Sequence, residues 1–190
     1  MLRWTPLVLV LLAASGTPAA ADPGPLSRAP VPLSLLPSGQ ASPTALQLLG
    51  ANVVQELNRV RAARGLQPLR AVPSLAAAAR RHSAHMGQRG FFDHTSPDGT
   101  PFWRRIERFY GPRGFRSWEV GENIFWKSPA TIAAISVVRS WLASPGHRAN
   151  VLSRAWRDVG VGAVSLASAP GVYGGSPVTI VTVDFGKRHR

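Results

Sequence analysis

The sequence predicts an α+β domain, an antiparallel sheet covered by helices, and two observations carry that prediction. Between Ser42 and Ser144, apolar residues recur at three- and four-residue spacing in separate stretches, punctuated by proline and glycine. After Asp158 the pattern changes to the β-branched runs Val159–Val164 and Val178–Phe185, joined by a Gly- and Pro-rich turn from Ala169 to Pro177. Helices first and a hairpin afterwards is the order of an α+β domain.

The N-terminus is expected to be outside that domain. Arg3 precedes the apolar run Leu7–Ala14, and Ala19-Ala20-Ala21 supplies small residues for cleavage, so residues 1–21 read as a secretory signal peptide cut before Asp22. No later segment reaches about 18 uninterrupted apolar residues, the length a membrane helix needs. The chain is therefore expected outside the cytoplasm, extracellular or in the periplasm or envelope. Residues 22–43, with Pro23, Pro25, Pro30, Pro32 and Pro37, read as a Pro-rich linker, 44–187 as the domain and 188–190 as a basic tail.

Within the domain, Ser42-Pro43 is an N-cap with proline at the first helical position. Leu46, Leu49, Val53, Leu57 and Val60 then give one apolar face as far as Gly65. A second helix is expected from Pro73 to Arg89, with Leu75, Ala78, Ala79 and Met86 inside and Gly90 as its stop. His82 and His85 on that helix are read as solvated or helix-end imidazoles beside Arg80, Arg81 and Arg89. Thr100-Pro101 opens a short helix with Phe102, Ile106 and Phe109 on one side, broken at Gly111-Pro112. Ser128-Pro129 opens another, with Ile132, Ile135, Val138 and Leu142 as its stripe and a stop at Ser144-Pro145-Gly146.

Composition narrows the chemistry. With 190 residues the chain is long enough for a sizeable core and is expected to be a monomer. Having no cysteine excludes thiolate zinc sites, disulfide redox work and cysteine nucleophiles. A net charge of +13 favours anionic partners such as lipid head groups or wall polymers, although an arginine-rich composition alone would produce it. No nucleic-acid motif or aromatic-basic interleaving is present.

The residues that carry chemistry gather around Ser144–Leu152, where His147 stands just after one amphipathic stretch and at the start of another apolar run. Phe91–Gly99, with His94, and Gly121–Ile124, with Glu122, are the stretches able to meet it. Two imidazoles and a carboxylate are a minimum set for a weak metal site or an acid/base pair. Their distance in sequence leaves separate loop and cap histidines as the alternative, since no short metal signature unites them. Asn123 and Asn150 are expected to bond loop backbone, and Ser96 and Ser144 lack a nucleophile elbow. Trp141 and Trp156 are expected in the core, whereas Trp103, Trp118 and Trp126, in or beside loops, are candidates to line a cleft.

Placed in order, Phe91–His94, Gly121–Ile124, Trp141–Leu152 and Val159–Gly162 resemble the CAP superfamily of cysteine-rich secretory proteins, antigen five and pathogenesis-related one. The likeness is to its cysteine-free bacterial branch, the SCP-like extracellular domain, and covers about Leu46 to Phe185. It implies a three-layer α-β-α sandwich with a mainly antiparallel central sheet and a cleft carrying two histidines and up to two glutamates. His94 and His147 match the histidines, implied to bind zinc or another divalent ion, and Glu122 matches the first glutamate. Where eukaryotic members carry the second glutamate this chain has Leu142-Ala143-Ser144, which leaves Glu119 as a stand-in or a solvated charge.

Three functions follow as expectations. The leading one is a secreted CAP module whose cleft binds an extracellular or envelope ligand, lipid or wall polymer. The alternatives are a divalent-metal-dependent hydrolase of peptide, wall or phosphodiester bonds, with Glu122 and the metal activating water, and a structural or host-interaction surface protein. The sequence leaves open whether the chain is an enzyme.

Overall fold

The structure, a computed structural model, describes residues 41–128 and 132–190. The expected signal peptide and most of the linker lie outside the described residues, as does Pro129 of the expected Ser128-Pro129 helix start.

Helix α1 spans Pro43–Ala62, and Ser42 caps it as its spacing requires, its hydroxyl accepting from the Ala45 amide at 3.1 Å. The two-residue strand β1 (Arg70–Ala71) leads into α2 (Pro73–Arg89), which ends on Gly90 at φ 70°, the left-handed conformation that glycine adopts at least cost. Helix α3 is Phe102–Glu107, strand β2 is Ser117–Lys127, and helices α4 (Ala134–Ala143) and α5 (Pro145–Leu152) follow. Strands β3 (Asp158–Leu166) and β4 (Val178–His189) form the expected hairpin across a short 3-10 turn at Gly171–Tyr173.

The four strands lie in the order β1-β3-β4-β2. The long pairings, β3 with β4 and β4 with β2, are antiparallel, and the short β1 pairing with β3 is parallel, so the sheet is mixed. Alternation along the strands sends Val181, Val183 and Phe185 towards α1, α4 and α5, where they bury Val53, Leu57, Val137, Trp141 and Trp156. Ile124, Val178 and Ile180 gather on the other face with Met86 of α2. Each fully buried side chain of this kind contributes about 2 kcal/mol of transfer free energy. The result is helices on both faces of one sheet, the sandwich that the sequence likeness implies.

Helix α2 lies almost on the backbone of β3. A Cβ on Gly160 would stand 2.0 Å from the Ala76 nitrogen, and one on Gly162 would stand 2.0 Å from the Arg80 nitrogen. Glycine at these two positions is therefore what sets the distance between helix and sheet.

Four expectations are corrected. Gly121–Ile124 is the middle of the longer strand β2, which pairs with β4 from Ser117↔His189 to Lys127↔Thr179, so Trp118 and Trp126 stand on a strand and not in loops. Helix α4 begins at Ala134, which leaves Ile132 before it and Ile135 exposed; Val137, Val138 and Trp141 are its buried face. Phe109 lies past the end of α3 and is exposed, and Tyr110 takes the core position instead, donating its hydroxyl to Asp158 at 2.6 Å. His82 is 1 % exposed and not solvated, because it falls on the same helical face as Leu75, Ala78, Ala79 and Met86.

Candidate functional site

The site forms over β2, the edge strand, where residues from both helical layers meet. Glu122 stands in the middle of the strand and faces the α2 side, its side chain fully buried. After Gly90 releases the chain from α2, the loop folds back under two restraints. Asp93 accepts the Thr95 amide at 2.6 Å, an Asx turn, and the Asp93 carbonyl accepts from His82 Nε2 at 3.0 Å. That turn sets His94 over the strand, with Nδ1 2.8 Å from Glu122 Oε1.

Arg105 of α3 clamps the same groups. Its Nη1 and Nη2 donate to Glu122 Oε2 at 3.1 Å each, and Nη2 also reaches Glu122 Oε1 at 3.2 Å and the His94 carbonyl at 2.6 Å. Burial alone would raise the Glu122 pKa, but His82, Arg105 and the His94 hydrogen bond together hold it well below the usual carboxylate range. His82 is itself pushed down to about 4, first by burial, so at neutral pH it is an uncharged imidazole and Arg105 supplies the compensating charge. An ionised Glu122 can only accept, so His94 donates from Nδ1, and the tautomer this fixes for the neutral ring has its lone pair on Nε2.

His147 arrives from the opposite layer. It stands in the first turn of α5, which is tied to β2 by amides: Asn123 Nδ2 donates to the His147 carbonyl at 3.0 Å, and Asn150 Nδ2 donates to Asn123 Oδ1 at 2.8 Å and to the Glu122 carbonyl at 3.2 Å. The two site imidazoles have centroids 6.2 Å apart with planes at 54°. His147 Nε2 is buried without a hydrogen-bond partner among the described residues. Burial first, and the neighbouring His94 second, lower the His147 pKa and favour its neutral, lone-pair form.

The structure thus brings together His94, Glu122, His147, Asn123 and Asn150, and holds the other candidates elsewhere. Glu119 forms a cross-strand pair with Lys187 at 3.8 Å. Trp118 and Trp126 stand four residues from Glu122 in either direction, about 13 Å away along the strand. Trp118 donates its Nε1 to the Tyr110 carbonyl, and Trp126 packs edge-on against Tyr173 with centroids 5.1 Å apart. Ser144 is the residue that joins α4 to α5, and its hydroxyl makes no capping bond.

Three residues of the site escaped the sequence reading. His82 had a signal, its place on the apolar stripe of α2. Arg105, one residue before the buried Ile106, had none, because only the fold brings it under His94. Asp184 is the third, the cross-strand partner of Glu122, fully buried beside that carboxylate and with no other hydrogen-bond partner for its oxygens among the described residues. Burial, then the negative charge of Glu122, raise its pKa well above the ordinary value against the opposing pull of Arg105. A lone acid inside the run Val178–Phe185 was the sign that a charge, or a proton, had to be accounted for.

Residues 54–185, most of the chain, match the model of the CAP, or cysteine-rich secretory protein, family. The chain belongs to that family. Among relatives, this CAP protein is 33 % identical over 153 residues to the protein YkwD of Bacillus subtilis (strain 168), an alignment covering 79 % of this chain and 56 % of YkwD. Among solved structures it is similar to an extracellular protein of Bacillus anthracis str. Ames that contains an SCP domain, with TM-score 0.55, 26 % identity, and coverage of 80 % of this chain and 45 % of that one. An outer surface protein from Borrelia burgdorferi shares the fold, with TM-score 0.61 and 20 % identity over 80 % of this chain and 98 % of its own. The chain therefore spans about half the length of the two Bacillus proteins. No helix among the described residues is long and apolar enough to cross a membrane.

Proposed function

We propose that this CAP domain is exported and uses the cleft at His94 and His147 to bind an anionic ligand of the cell envelope, a lipid head group or a wall polymer, rather than to cleave one. One observation carries the reading: both oxygens of Glu122 are taken up, by the Arg105 guanidinium and by His94 Nδ1. A carboxylate so neutralised and wholly buried is a poor base for activating water, and its work is to fix the tautomer of His94. The net charge of +13 favours an anionic ligand, and the apolar leader and the extracellular Bacillus relative favour export.

Zinc or another divalent ion fits this donor set in a limited way. Among the described residues no group of three or more His, Asp or Glu is placed to hold one. His94 Nε2 and the unpartnered His147 Nε2 are the two atoms that would, leaving the remaining positions to an outside ligand. When bound, the ion would supply a positive, Lewis-acidic centre for an anionic group.

Co-sedimentation with phosphatidylglycerol vesicles and with an isolated anionic wall polymer, with and without zinc, tests the reading. The His94→Ala, His147→Ala double variant is expected to bind at least one of these about tenfold less tightly, roughly 1.4 kcal/mol, while keeping its fold. Equal binding by the folded variant, or zinc-dependent hydrolysis of the probe that is lost in Glu122→Gln, would sink the binding reading.

A further inference from the structure

Asp184 stands on the central strand β4, on the face that α2 covers, and its neighbours leave it without a donor. Across to β2 its partner is Glu122, with β-carbons about 5 Å apart. Across to β3 its partner is Gly160, which brings no side chain and is covered by the α2 backbone at Ala76. Two residues back on the same face is Thr182, whose hydroxyl is 2.8 Å from that of Ser83. Ser83 spends its single proton on the Gly162 carbonyl at 3.1 Å, so Thr182 donates to Ser83 and has nothing left for Asp184. Two residues on is Gly186, against the ring of Tyr110, whose hydroxyl goes to Asp158. From α2, His82 gives its Nε2 proton to the Asp93 carbonyl, which leaves a lone pair on Nδ1. From α3, Arg105 reaches both oxygens of Glu122 and neither of Asp184.

Two neighbouring carboxyl groups wholly inside the protein, with one guanidinium to serve them, do not both ionise. Glu122 receives a hydrogen from His94 Nδ1 and one from each Arg105 amino group, the other hydrogen of Nη2 going to the His94 carbonyl. Asp184 receives none among the described residues. The shared proton therefore stays on Asp184, and the acceptor beside it is Glu122. A carboxylate offers about four lone-pair sites, so Glu122 has room for this further donor.

The angle of the Glu122 carboxylate needs it. Arg105 alone favours the parallel fork, with one amino group on each oxygen. Here both amino groups converge on Oε2 at 3.1 Å, and Nη2 also touches Oε1 at 3.2 Å. A carboxylate held by Arg105 alone would turn into that fork and draw Oε1 away from His94. We propose that Asp184 is a positioning residue for His94: its acid O–H, donated to Glu122 across the β2–β4 pair, holds the carboxylate at the angle at which Oε1 receives Nδ1–H. A relay from Asp184 to Glu122 to His94 thus runs from the middle of the sheet to the cleft and leaves the His94 lone pair on Nε2. It deepens the binding reading above and rests on it for the use made of that lone pair.

NMR of the carboxyl carbons and of the imidazole nitrogens, on the full chain without ligand or metal, tests the relay separately from binding. At pH 7 the Asp184 carboxyl carbon is expected at the shift of a neutral acid and that of Glu122 at the shift of a carboxylate. An ionised Asp184, or the proton on Glu122, would overturn the proposal in the unaltered protein. The neutral His94 ring is expected almost wholly as the Nδ1–H tautomer, both in the native chain and in Asp184→Asn, whose amide also donates. Asp184→Leu fills similar space with no donor, and in it the tautomer ratio is expected to move towards Nε2–H on the order of tenfold. An unchanged ratio in folded Asp184→Leu, or an equal shift in Asp184→Asn, would overturn the proposal. These signals come from the free protein, so a failure of the envelope ligands to bind leaves them as they are.

Discussion

His82 and Asp184 are two residues whose burial acts against their own charge. His82 is held at about pKa 4 in the fold against 6.5 in an exposed chain. Above pH 6.5 neither state binds that proton. As the pH falls towards 4 the unfolded chain takes it up and the native state does not, so stability drains away across this window by up to roughly 3 kcal/mol. Urea unfolding across a pH series should show the loss, and His82→Gln should flatten it. Asp184 has the opposite sign. Its raised pKa means that on the alkaline side of 3.8 the native state retains a proton the unfolded chain has released, a standing cost at neutral pH. Asp184→Asn keeps the shape of the neutral acid and should raise the melting temperature at pH 7, with the gain shrinking as the pH approaches 4. A fall in melting temperature at pH 7 would instead mean that the carboxylate is ionised and useful.

The elements differ in how plainly their sequences announce them, and the bounds of α2 were legible to the residue. Pro73 and Gly90 punctuate it, and every apolar position assigned to its inner face is buried. Strand β2 was not legible. Trp118, Val120, Ile124 and Trp126 do alternate with Glu119, Gly121 and Asn123, but Glu122 puts a charge in the middle of the apolar face and Gly121 stands beside it, which reads as a loop until the fold supplies Arg105 and His94 as partners for that charge. Arg105 shows the same limit on a helix, since nothing in Phe102–Glu107 says that its polar face will close on a buried glutamate. The most exacting element contact is α2 on β3. Gly162→Ala would drive a Cβ into the helix backbone and should cost about 3 kcal/mol or more, read as a lowered urea midpoint with unchanged slope. Gly65→Ala, with open space around its Cβ, is the control that separates crowding from glycine's backbone freedom.

At the scale of the whole molecule, the class of fold was readable because helix and strand periods segregate along the chain. The meeting of His94, Glu122 and His147 was readable only through family likeness, since 28 residues separate the first pair and the sheet alone closes the gap. The way it closes has a mechanical consequence. His94 hangs from the α2 layer and His147 from the α5 layer, with nothing but the edge of β2 between them. Any guest that grips both imidazoles becomes a rivet through the sandwich. It would resist the peeling of one layer from the other and tie occupancy of the cleft to the rate at which the domain comes apart.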